Sequence, residues 1–164
     1  MIIYLKNKHT LKVDDFYFKC SIGKNGLSKT KVEGDCKTPK GTFKLDFLYF
    51  RKDRIKNLKS HIKTVEINKT MGWCDDENDK KNYNKLIKIK KKIKHEKLYR
   101  KDHTYDLLLP IKFNYKKRTL GKGSCIFLHL TKNYNPTAGC IALKKDDFMI
   151  LLKLINQKTK IRIN

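Results

Sequence analysis

The residues best suited to covalent chemistry are His129 and Cys140, eleven positions apart. A thiol becomes a working nucleophile when a base, or an imidazolium partner, lies within hydrogen-bond reach. His129 closes the apolar run CIFLHL, and Cys140 follows a polar loop that ends Pro136-Thr137-Ala138-Gly139. A strand end and the return from a short loop bring two such groups together. Gly139 removes side-chain bulk beside the sulfur, so an acyl donor can approach. Backbone N–H groups at Cys140 and its neighbours suit an oxyanion hole. By spacing alone, the pair is matched as well by two core residues.

A second cluster comprises Trp73, Asp75, Asp76, Tyr83 and Asn84. Paired carboxylates suit a metal or a substrate amine, but two acids in a loop equally suit a solvated turn or a helix cap. Trp73 has two readings, stacking on a bound ligand and anchoring its segment to a sheet. His95 and Glu96 are read as neighbours of a cleft or as structural residues. His9, His61 and His103 have no partner pattern, and neither HExxH nor a close His triad occurs, so a metalloprotease is poorly supported. Gly34, Lys37, Pro39 and Gly41 lie in a glycine-rich block without the GxxxxGK[ST] run of a phosphate loop, and read as turn chemistry. The five cysteines, Cys20, Cys36, Cys74, Cys125 and Cys140, are odd in number and form no CxxC pair. That speaks against a zinc knuckle or a thioredoxin-type site, and scattered cysteines read as small buried hydrophobes.

The elements that must position these groups are mostly strands. The chain has 164 residues, 39% hydrophobic and 34% charged. That is enough to bury a core without disulfides or metal, and it is not the composition of a disordered tail. Strands are expected at Ile2 to Leu5 and Asp15 to Ile22. Another is expected where Phe43, Leu45, Phe47 and Tyr49 alternate. YDLLLPIKFNY reads as a strand in which Pro110 marks an edge, a bulge or an early end. Cys125 to Leu130 reads as a buried strand, Cys140 to Leu143 as a short apolar piece and KIRIN as the last strand. Asp146 and Asp147 suit the first turn of a helix whose apolar face carries Phe148, Leu151, Leu152 and Ile155. A basic insert runs from about 51 to 103, and the spacing of Leu86, Ile89 and Ile93 predicts a helix from about Asn82 to His95. The expected fold is a single, mainly β domain over 1–164, with a partly helical insert and a short C-terminal helix.

Forty Lys plus Arg against 16 Asp plus Glu give a formal net charge of +24. Such a surface attracts nucleic acid, anionic lipid and acidic polymers alike. The densest run, Lys80 to Lys101, has Glu96 as its only acid and reads best as a solvated face. No helix-turn-helix, zinc-finger or RNP-like pattern is present, so specific nucleic-acid recognition is not expected. No apolar run approaches the ~20 residues of a membrane span. The amino terminus shows no leader-like apolar core.

The segments GKGSCIFLHL from Gly121 and NPTAGCIAL from Asn135 resemble the L,D-transpeptidase catalytic domain, in the branch with GxGSxIFxH and PTxGC stretches. SIGKNGLSKTKVEGDCKTPKGTFKL, GWCDDENDKKNYN and HEKLYRKDHTYDLLLPIKFNY resemble further blocks of that family, in order along nearly the whole chain. The resemblance implies a curved β-sheet sandwich with a cleft. It implies Cys140 as nucleophile, His129 as its activating base and Gly139 as an orienting or oxyanion-stabilising neighbour. Thr137 is the loop hydroxyl, and Trp73, Asp75, Asp76, Tyr83 and Asn84 would form a cleft wall or lid that contacts substrate.

The implied reaction cleaves the bond to the terminal D-amino acid of a peptidoglycan stem peptide through a Cys140 thioester. The acyl group then passes to an acceptor amine, or to water in an L,D-carboxypeptidase. No cofactor and no metal are implied. The expected partners are stem peptides and anionic wall polymers, and the expected state is a monomer. The location is periplasmic or wall-associated if the chain is exported, with a cytoplasmic one left open by the missing leader. One departure stands out: many relatives carry Arg two residues after the nucleophile, suited to a substrate carboxylate, where this chain has Ala142. A basic module for nucleic acid or another anionic polymer is the competing reading.

Overall fold

The computed structural model describes residues 1–164. The chain forms fifteen strands and one helix. The first sheet is built from β1 (Ile2–Asn7), β2 (Thr10–Val13), β3 (Phe16–Lys19), β6 (Gly41–Lys44) and β15 (Lys160–Ile163), in the order β3-β2-β1-β15-β6. The second contains β7 (Leu48–Phe50), β8 (Thr64–Glu66), β12 (Leu107–Pro110), β13 (Phe127–Leu130) and β14 (Ile141–Leu143), in the order β14-β13-β12-β7-β8. The insert adds a three-stranded sheet, with β9 (Met71–Cys74) between β10 (Leu86–Lys88) and β11 (His95–Lys97). The short strands β4 (Leu27–Ser28) and β5 (Thr38–Pro39) pair in parallel.

Both large sheets turn one face to a common core. Ile3, Leu5, Leu11, Ile161 and Ile163 enter it from the first sheet. Leu107, Leu109, Leu128, Leu130, Ile141 and Leu143 enter from the second. The helix α1 (Lys145–Leu154) covers it with Phe148, Leu151 and Leu152, and Ile155 joins from the position after. Asp146 and Asp147 sit in the first turn of α1 and Lys153 in the last, each complementing the helix dipole. A smaller apolar cluster lies on the opposite face of the second sheet, around Tyr49, Trp73, Leu98, Tyr105, Leu108 and Phe127.

Three expectations need correction. Asn82 to His95 is not helical: it holds a turn, β10, a second turn and the start of β11. Asn84 has a φ of 54°, which breaks a right-handed helix, and Leu86, Ile87 and Lys88 pair with Trp73, Gly72 and Met71 instead. The ladder to β9 outweighs a short lysine-rich helical pattern whose first apolar residue, Leu86, stays 37% exposed. The stretch Phe43 to Tyr49 is not one strand either. The chain leaves the first sheet after Lys44 and enters the second at Leu48, so Phe47 at the corner is exposed while Leu45 and Tyr49 are buried. Finally, the sheets are not notably curved. All five strands of the second sheet have three or four residues, too few for coiling to accumulate.

Pro110 proves to be an early end. It is the last residue of β12, where its missing N–H costs no further ladder bond, and its carbonyl accepts the Asp46 N–H at 2.9 Å.

Candidate active site

The parallel pairing of β13 with β14 places Leu128 opposite Ile141, His129 opposite Ala142 and Leu130 opposite Leu143. Side chains alternate along a strand. Leu128, Leu130, Ile141 and Leu143 therefore enter the main core. Phe127, His129, Ala142 and, one step before β14, Cys140 share the other face. The register thus sets the thiol and the imidazole on one surface of the sheet, diagonal to each other, with the small Ala142 beside the ring. Both line a cleft of about 920 Å³, and each is 8% exposed.

Two hydrogen bonds hold the sulfur. Cys140 Sγ donates to the Cys125 carbonyl at 3.1 Å and accepts from the Phe127 N–H at 3.3 Å. No hydrogen bond joins it to the imidazole in this resting arrangement. Burial pushes the thiol up to about 12, against relief from the Phe127 N–H and from the charge of Lys31. Burial also lowers His129 to about 4. At neutral pH the site holds a thiol and a neutral imidazole, not an ion pair. His129 Nδ1 lies 2.9 Å from the Leu130 carbonyl, which can only accept, so Nδ1 carries the proton and Nε2 keeps a lone pair. The edge of the ring packs against Tyr105, with centroids 5.5 Å apart.

The loop before Cys140 is fixed by its own polar groups. Thr137 Oγ1 donates to the Cys140 carbonyl at 2.6 Å and accepts the Gly139 N–H at 3.1 Å. The Thr137 N–H and carbonyl pair with Ile22 and Lys24, tying the loop to the segment after β3. Gly139 has a φ of 138°, and a Cβ there would meet the Lys37 carbonyl at 2.9 Å. Glycine is needed there for backbone shape.

Trp73, Asp75, Asp76, Tyr83 and Asn84 lie outside the cleft lining. Trp73 is 2% exposed and packs edge-on against Tyr49 and Phe127, so of its two readings the anchor is the one that the geometry matches. Its indole N–H donates to Asn84 Oδ1 at 3.0 Å. Asn84 also accepts the Cys125 N–H and donates to the carbonyls of Phe113 and Asn114, joining insert to sheet. Tyr83 is buried and its hydroxyl donates to Glu33. Asp76 caps local turns through the N–H groups of Asn78 and Lys94, which hold its carboxyl below the usual range. Asp75 pairs with Lys94 at 3.5 Å.

The groups that do face the cleft from the insert are Arg54, Glu96, Arg100, Asp102 and His103, joined by Tyr105 and Asp106 just after it. Arg100 bonds Glu96 at 2.9 Å and Asp102 at 2.7 Å, and its guanidinium lies over the Tyr105 ring. Arg54 and His103 both bind Asp106. Only the HE pair in HEKLYRK and its block hinted at this wall. The contributing residues are ordinary charged side chains until the fold gathers them. No group of three His, Cys, Asp or Glu side chains is arranged to hold a metal ion, and no helix is long and apolar enough to cross a membrane.

A mainly β domain with a buried thiol and imidazole lining one cleft defines a class of cysteine-site proteins, and the sequence comparison names it. The profile of the YkuD family, the L,D-transpeptidase catalytic domain, matches residues 1–163, and the chain belongs to that family. No curated protein matches the chain. Among solved structures, that of Bdellovibrio bacteriovorus Bd1075 is similar with 17% identity and a TM-score of 0.49. The likeness covers 99% of this chain and 47% of that one.

Proposed function

We propose that the protein is a cysteine acyltransferase acting on peptidoglycan stem peptides, with Cys140 as nucleophile and His129 as base. The observation that carries this reading is the shared cleft: a thiol and an imidazole with a free Nε2 on one face of one sheet, in a chain of the L,D-transpeptidase family.

In the first step the Cys140 sulfur attacks the carbonyl that precedes the terminal D-amino acid. The C–S bond forms, and the thiol proton passes to His129 Nε2. The C–N bond to the D-amino acid then breaks, with that proton going to the leaving amine. In the second step an acceptor amine attacks the thioester, the C–S bond breaks and the sulfur recovers a proton. Water in place of the amine gives L,D-carboxypeptidase activity at the same site.

Because burial opposes both thiolate and imidazolium, proton transfer accompanies attack rather than preceding it. A substrate carbonyl entering the cleft displaces the Cys125 carbonyl as the thiol's neighbour. The Cys140 N–H takes no part in the loop's hydrogen bonds and is a candidate donor to the developing oxyanion. Ala142 leaves space beside His129, and charge complementary to the stem comes from Arg54 and Arg100 on the insert wall.

Incubation with a purified disaccharide-tetrapeptide and mass analysis of the protein tests the reading. The expected result is an acyl adduct on Cys140, absent in Cys140→Ala. Product analysis separates the two acceptors: cross-linked dimers for an amine, free tripeptide for water. No adduct and no turnover on any stem form refutes the proposal.

A further inference from the structure

The outer face of the first sheet carries a charge pattern that the cleft chemistry does not use. Registers across the sheet align Tyr17, Lys12, Tyr4, Arg162 and Thr42 in one row. The adjacent row aligns Ile2, Lys160 and Lys44. Lys6 and Lys19 complete the face by strand alternation. It therefore presents six cations and no acid from its strands. None of the six forms an ion pair, although nine salt bridges occur elsewhere. The nearest acids, Asp14 and Asp15, form the turn between β2 and β3.

Two tyrosines are interleaved with the cations, yet their ring faces are taken. Lys12 Nζ lies 5.3 Å from the Tyr17 centroid, and the Arg162 guanidinium lies 5.7 Å from that of Tyr4. Rings covered by cations are poor platforms for stacked bases, which argues against single-stranded nucleic acid. A depression on this face is confined to Ile2, Tyr4, Lys6, Lys12 and the turn residue Asp14, a short cup rather than a groove that would track a linear polymer. What it offers is a plane five strands wide, about 20 Å across, in a sheet that is not notably curved. At its edge Tyr17 is 62% exposed, an amphipathic side chain suited to a lipid interface.

We infer that this face docks the protein on an anionic lipid bilayer. The inner side of the same sheet packs on the main core, and Cys140 and His129 lie on the far face of the second sheet. A molecule held by Lys12, Lys160 and Arg162 therefore keeps its cleft away from the lipid. The inference stands on sheet geometry and does not depend on the reaction proposed above.

The test is sedimentation of the full chain with vesicles of phosphatidylcholine, with and without phosphatidylglycerol. Three forms are compared: wild type, Lys12→Gln with Lys160→Gln and Arg162→Gln, and a control of equal net charge, Lys90→Gln with Lys91→Gln and Lys92→Gln. Urea midpoints confirm that the variants fold, and Lys19→Gln with Lys44→Gln is a second face variant. Binding is expected only to the anionic vesicles. At roughly fivefold per cation, the triple face variant should bind about 100-fold more weakly, while the insert control stays near wild type. Equal loss in both triples overturns the inference, because net charge alone would then explain binding. Polyphosphate or single-stranded DNA bound as tightly, with the same face dependence, also overturns it and gives the face to a soluble polyanion.

Discussion

The buried imidazole of His129 makes stability depend on pH in a window that can be isolated. Burial lowers its pKa from 6.5 to about 4. Between these values the unfolded chain binds a proton that the folded one refuses, so falling pH favours unfolding. Above 6.5 the contribution is fully present; it is lost as pH drops towards 4, and no more is lost below that. The drop from 6.5 to about 4, at ~1.36 kcal/mol per pH unit, amounts to about 3 kcal/mol. The ring is almost fully enclosed, so solvent screening removes little of this. The aspartates held low by their partners, Asp35, Asp53, Asp76 and Asp102, lose their contributions below 3.8, outside the window. Urea denaturation at pH 7.5 and 4.5 is the assay, on wild type and His129→Gln. Wild type should lose most of that 3 kcal/mol beyond whatever the variant loses. Equal pH dependence in the two proteins would refute the reasoning, because the ring would then be hydrated or mobile enough to titrate normally.

Three further outcomes follow from the site. Cys140 should alkylate with iodoacetamide at a rate that keeps rising with pH beyond 9, since its thiol is held up to about 12; a plateau near pH 7 in the free protein would show a preformed thiolate instead. Gly139→Ala places a methyl 2.9 Å from the Lys37 carbonyl at a φ of 138°, and should cost at least about 2 kcal/mol in denaturant melts and abolish adduct formation. Asn84→Ala strands the Trp73 indole N–H, the Cys125 N–H and two carbonyls, and should cost about 3 kcal/mol; tryptophan fluorescence during unfolding reports it directly, and a loss under 1 kcal/mol would mean that water replaces the amide.

The legible parts of the sequence were those where burial dictates pattern. CIFLHL is nearly continuous in apolar residues because β13 is an interior strand covered on both faces, and His129 stands next to its end. The helix over Asp146 to Ile155 was readable from spacing because a single face meets the core. The insert was not readable. Its lysines satisfy any solvated conformation, so Leu86, Ile89 and Ile93 mimicked a helix stripe, while the real organiser is Asn84, a polar residue buried by long-range hydrogen bonds. Such bonds leave no periodic trace. For the same reason the sequence marks only Glu96 of the cleft wall, leaves Arg100 and Tyr105 without a signal and makes the WCDD motif more conspicuous. Trp73 is conspicuous because it fills the smaller core, not because it meets solvent.

The second sheet shows why an insert of this composition stays with the site. Strand parity gives β13 two opposed tasks: Leu128 and Leu130 hold it to the main core, while Phe127 and His129 project to the other side. A sheet face left bare there would expose the imidazole to water and restore its ordinary basicity. The insert and the residues that directly follow it prevent this, Trp73 packing against Phe127 and Tyr105 against His129. The same cover that removes water also carries Glu96 and Arg100 into the cleft wall. Desolvation of the pair and the charges of the cleft therefore come from one piece of chain. A change that loosens the anchor at Asn84 should then raise the His129 pKa as well as lower stability, coupling two measurements that a purely local role would leave independent.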